Sequence, residues 1–153
     1  MGIKQQKQNL TVSKQRAELI ERCSASEETM VFSFRHMTSC DDYNFRCFEK
    51  KKKNAEVSRA IAAFVDKLSE LSQMTWSTFF SKGRTCGGPD PIPAFQMEDR
   101  FLNGVDISIS DDEKLISVRF NSGKSRFIIK RGTKCRRVAH VLGIDYDLDL
   151  YKH

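Results

Sequence analysis

The sequence predicts an α+β fold: one main amphipathic helix packed on a C-terminal four-stranded antiparallel sheet, preceded by a polar helical extension. Three observations carry this. Apolar residues recur at helical spacing between positions 55 and 71. Past residue 104, short runs alternate apolar and polar side chains at period two, as strands with one buried face do. Between the two patterns lies a stretch holding all three prolines and three of the eight glycines, which ends one regularity before the other begins.

Residues 1–28 are polar and rich in helix formers, with Ser13 placed to cap a short helix. Its apolar stripe (Ala17, Leu19, Ile20) is narrow, which suits an extension that orders on a partner. Residues 29–153 form the single α+β domain. Met30, Val31, Phe32, Ser33 and Phe34 alternate as a strand does, and residues 43–48 read as a second short strand or as a loop that packs its aromatics. In the main helix Ala55, Val57, Ile61, Phe64, Val65, Leu68 and Leu71 make one apolar face. Residues 74–80 extend that helix or start another. The breaker-rich loop, 81–93, is either functional or a flexible connector. The strands are expected over 105–110, 115–120, 125–130 and 137–145, with turns at 111–113, 121–124 and 131–133.

At 153 residues the chain is long enough for one core, and eleven phenylalanines against one tryptophan make that core phenylalanine-rich. No apolar run approaches the length of a signal peptide core or a membrane span. Five cysteines at irregular spacing, with no C-x-x-C, read as reduced and mostly buried thiols in a cytoplasmic protein. Cys40 and Cys47 with His36 are the nearest approach to a zinc set, and their spacing does not favour one; no cofactor is expected.

Charge is distributed unevenly. The net charge is +6, yet the segment from Lys114 onward holds ten Lys/Arg against three Asp/Glu. Residues 84–113 carry two basic and seven acidic side chains and read as a solvated loop and strand face, or as an internal partner for the basic segment. A basic sheet suits a polyanion, RNA above all. Arg119, Arg126, Lys130, Arg131, Lys134, Arg136 and Arg137 are the candidate phosphate contacts, because guanidinium groups bind phosphate in a bidentate manner. Arg119 and Arg126 flank one hairpin turn and are placed to meet across it. Metal-free RNA cleavage needs a base for the 2′-hydroxyl, a cation for the phosphorane and an acid for the leaving oxygen. His140, Tyr151 and His153 are the candidates for proton transfer. Each also has a plainer reading: a hydrogen-bonded histidine within a sheet, an apolar anchor, a terminal residue.

Two resemblances follow from these residues. Phe32-Ser33-Phe34, Tyr43 to Cys47, the stretch 71–76, Pro91-Ile92-Pro93 and the ending His140-Val141-Leu142-Gly143-Ile144-Asp145 … Leu150-Tyr151-Lys152-His153 resemble a family of small bacterial and mobile-element proteins. That likeness implies no particular reaction. The chain departs from the pattern in lacking a histidine after Trp76 and in carrying Gly143 where an aromatic is expected. A helix followed by a basic antiparallel sheet, with Tyr and His at its end, is also similar to the RelE/YoeB-type ribonuclease toxins. That resemblance implies that Arg119 and Arg126 contact phosphate and that Tyr151 and His153 act at the scissile bond. It also implies a ribosome-associated RNA substrate and an antitoxin covering the basic face. The expected function is therefore an RNA-directed protein, a metal-independent endoribonuclease of toxin type. The alternatives are a mobile-element or phage protein that inhibits a host or defence complex by protein–protein binding, and a plain nucleic-acid-binding module.

Overall fold

The computed structural model describes residues 29–51 and 54–151, together with Lys14. The rest of the N-terminal extension, and His153, lie outside the described residues. In chain order the elements are β1 (Val31–Ser33), a 3-10 turn (Phe45–Cys47), α1 (Ala55–Ser72), α2 (Trp76–Ser81) and β2 (Asp90–Pro93). They continue with α3 (Asp99–Asn103), β3 (Lys114–Phe120), β4 (Ser125–Arg131) and β5 (Val138–Asp145). The strands form one open sheet in the order β1-β5-β4-β3-β2. β1 runs parallel to β5, and every other neighbouring pair is antiparallel.

The fold class is as expected, but the sheet is five-stranded and mixed, and its membership differs. The run 105–110 forms no strand. Val105 is buried, and Ile107 and Ile109 pack beside it, so the alternation reflects an extended segment laid on the sheet without a ladder partner. Its expected place is taken by β2, the end of the breaker-rich loop. Pro91 and Pro93 have no N–H to give, which restricts such a segment to a sheet edge, where it is found. Residues 43–48 are the aromatic-packing loop: Tyr43 and Phe48 are buried and no strand forms.

α1 starts where Asn54 Oδ1 accepts the backbone N–H groups of Glu56 and Val57. It buries Val57, Ala60, Phe64 and Leu71. Ile61 and Val65, expected in the core, stand exposed because they sit at the margin of a stripe that follows a spacing of three and four. Thr75 Oγ1 accepts the Thr78 N–H and starts α2 as a separate helix.

One face of the sheet packs on α1 and α2. Phe64 meets Phe120 and Phe127 with ring centroids 5.5 and 5.3 Å apart, and Val118, Ile129 and Val141 complete this core. The other face carries Leu115, Ile128 and Leu142, covered by Tyr43, Phe101 and the tail residues Leu150 and Tyr151. The β4–β5 ladder slips once, since Ile128 pairs with Gly143 and Ile129 with Val141. This bulge inserts Leu142 on the same face as its neighbour. A Cβ on Gly143 would lie 2.5 Å from the Phe101 ring and 2.8 Å from the Tyr43 carbonyl oxygen. The aromatic expected at Gly143 is thus excluded, because Phe101 already fills that space.

Candidate functional site

β5 sets His140 opposite Lys130 of β4 and Ser33 of β1, on the face away from α1. The ring is partly exposed, while its Nδ1 is buried and has no hydrogen-bond partner among the described residues. Burial holds the His140 pKa below its ordinary value, helped by His36, Lys130 and Arg35 close by. The imidazole is therefore neutral at neutral pH and retains a lone pair.

The turn after β1 brings His36 against it. The two rings meet edge to face, with centroids 4.9 Å apart. His36 Nδ1 lies 2.6 Å from Asp106 Oδ1. A carboxylate at that nitrogen favours the Nδ1–H form and leaves Nε2 as the exchanging atom. Asp106 belongs to the strandless 105–110 segment, whose Ile107 and Ser108 line the same cleft as Ser33 of β1.

These residues line a cleft of about 660 Å³ whose wall is completed by Arg35, Lys130, Arg131, Lys134 and Cys135. Its charge is not uniformly positive. Lys130 donates to Glu113, so the acidic segment does partner the basic one at this place. Arg131 lies over the Trp76 ring at 5.0 Å and donates from Nε to the Arg136 carbonyl oxygen. Burial and the neighbouring Arg136 charge hold its pKa below the ordinary arginine value. A bound anion would relieve that like-charge repulsion.

The remaining expected site residues go elsewhere. Arg126 is fully buried and donates from Nε to Asp145 Oδ2 at 2.6 Å, so it is no surface phosphate contact. Arg119 is its register partner, as expected, but projects to solvent while Arg126 turns inward. Tyr151 is buried beneath the Arg126 guanidinium, 3.5 Å from the ring centroid, and pairs with Met97. It is a structural anchor rather than a proton-transfer group at a surface. Arg126 and Lys130 stand four residues apart along β4, about 13 Å at ~3.3 Å per residue, so Tyr151 and His140 do not share a site. Arg136 is exposed, and Arg137 donates from Nε to the Thr29 carbonyl oxygen. Lys130 and Arg131 alternate to opposite faces, so the expected single concave basic surface shrinks to one cleft at one end of the sheet.

His36, Arg35 and Asp106 are the site residues that sequence reasoning did not assign. His36 figured only as a doubtful zinc ligand, and among the described residues no three His, Cys, Asp or Glu side chains group to hold a metal. Cys47 is buried, and burial pushes its thiol up to about 12, which makes it a poor nucleophile or ligand. Among the described residues, no helix is long and apolar enough to cross a membrane. No family model, no curated protein and no solved structure matches this chain.

Proposed function

We propose that the protein is RNA-directed and that the cleft between β1, the 105–110 segment and the β4–β5 connection receives a ribose–phosphate backbone. One observation carries the reading: a neutral His140 and an Asp106-held His36 touch inside a rim that includes Arg35, Lys130, Arg131 and Lys134. Cations that recognise phosphate and imidazoles that move protons at neutral pH are the two requirements of metal-free RNA chemistry. In its narrower form the proposal is an endoribonuclease of toxin type. In this reading the two touching imidazoles act together as one proton-transfer station, for the 2′-hydroxyl. The proton for the leaving 5′-oxygen comes from a lysine ammonium of the rim, since a guanidinium does not release its proton.

The test is binding and cleavage of a single-stranded RNA oligonucleotide at about 50 and about 200 mM salt. Salt-sensitive binding, with cleavage lost in His140→Ala and His36→Ala, supports the full reading. Binding without cleavage reduces it to a nucleic-acid-binding module. No binding at the lower salt removes it.

A second reading has its own observation. Exposed Phe34 and Phe45 touch at 5.5 Å, and Phe45 lies against Phe64 of α1, which also exposes Ile61 and Val65. An apolar cluster of this kind suits a protein partner, as an inhibitor of a host complex would require. Charge reversals in the cleft would leave that activity intact, whereas Phe45→Asp would abolish it.

A further inference from the structure

The outward face of a surface helix ordinarily carries charged side chains. One flank of α1 does not. Ser58, Ile61, Ala62, Val65 and Ser69 are all exposed, follow one another along that flank, and include no ionised group. Val65 is 56% exposed and Ile61 43%. The ion pairs of α1 run along the opposite flank, where Lys67 meets Glu70 at 2.5 Å and Lys82 reaches the same carboxylate. Past Ile61 the bare flank continues into a groove beside Val57 and Phe48.

The spacing within the flank is specific. Ser58, Ala62, Val65 and Ser69 step by four, three and four residues, the repeat of a seam between paired helices. Ile61 and Leu68 border this seam on one side, Arg59 and Asp66 on the other. Arg59 and Asp66 are exposed, and among the described residues neither joins an ion pair. Seven residues separate them, about 10 Å along the axis, too far to meet within one helix.

We infer that α1 pairs antiparallel with α1 of a second copy of this chain across this flank. A two-fold axis at the middle of the seam sets Val65 of each copy opposite Ala62 of the other, a large side chain against a small one, and Ser58 opposite Ser69. The same rotation brings Ile61 of one copy to Leu68 of the other, and Arg59 of one copy to Asp66 of the other. Each contact occurs twice. A parallel pairing would instead set Asp66 against Ile61 and leave the charges unmatched. Self-complementarity is what points to a second copy, since both members of every contact stand on the one flank. α1 lies on the sheet face away from His140, so the pairing is independent of what the cleft binds.

Sedimentation equilibrium of the intact chain over a concentration series tests this, with Val65→Glu, Arg59→Glu, Asp66→Arg and the double reversal Arg59→Glu with Asp66→Arg. The intact chain is expected to reach the mass of two chains. Val65→Glu, at an exposed position, is expected to hold it monomeric with an unchanged circular dichroism spectrum. Each single reversal turns two attractions into two repulsions and is expected to weaken the dimer about 3- to 30-fold. The double reversal is expected to restore it, which no contact within one helix would do. A chain still monomeric at about 1 mM overturns the pairing. So does a dimer that Val65→Glu leaves intact, or one that the double reversal leaves as weak as either single change.

Discussion

Arg126 and Asp145 face each other across β4 and β5 with both side chains fully buried, and their 2.6 Å contact fastens the C-terminal tail to the sheet. Asp145 also accepts the backbone N–H groups of Asp149 and Leu150, while Arg126 donates to the Tyr151 carbonyl oxygen. Burial pushes the Asp145 carboxyl up; Arg126 and the two amides pull the other way. Breaking such a pair leaves one ion without compensation in an apolar place. Arg126→Ala or Asp145→Ala is expected to cost about 3–5 kcal/mol, read from denaturant unfolding. A double replacement, Arg126→Met with Asp145→Leu, is expected to recover part of that loss. Single variants as stable as the parent would refute the account.

Stability should fall with acid through His140. Its folded pKa is depressed below 6.5, so above 6.5 both folded and unfolded states carry a neutral ring and its contribution is constant. As pH drops below 6.5 the unfolded chain takes up the proton first, and stability declines through the depressed folded value. His140→Asn is expected to flatten that part of a profile of melting temperature against pH. An unchanged slope would show that other groups govern it.

Gly143 should tolerate no side chain. A Cβ there meets the Phe101 ring and the Tyr43 carbonyl oxygen at 2.5 and 2.8 Å, and the second is backbone that cannot rotate away. Gly143→Ala is expected to destabilise by about 1–3 kcal/mol in thermal or denaturant unfolding. Pairing it with Phe101→Leu would recover only the part due to the ring.

The salt dependence of RNA binding should count the cleft cations. Each single-strand phosphate contact contributes about 0.7 to the slope of log K against log salt. Lys134→Glu and Arg35→Glu are each expected to reduce the slope. Arg119→Glu, on an exposed strand end away from the cleft, is expected to leave it unchanged. Equal effects from all three would mean diffuse attraction rather than a site.

Much of the fold was legible because burial imposes period. β3, β4 and β5 each carry apolar residues on both faces, and α1 repeats Val57, Ala60, Phe64 and Leu71 along one side. β2 was hidden because prolines argue against a strand unless its edge position is known, and that position is set by β3. The run 105–110 misled because alternation reports which way side chains point and not whether a ladder exists. In the site, His140 was visible on its strand, but His36 meets it, and Asp106 meets His36, only through tertiary folding. Arg126 looked like a surface cation because nothing local distinguishes it from Arg119; the carboxylate that draws it inward lies on the next strand.

The two borders of the sheet are unlike. On β2, Pro91 and Pro93 remove the outward amide donors that an incoming strand would need. A neighbouring molecule cannot prolong the ladder from that side, and β1 on the opposite side offers only three residues. Concentrated solutions of the protein should consequently resist the edge-to-edge stacking that leads to fibres.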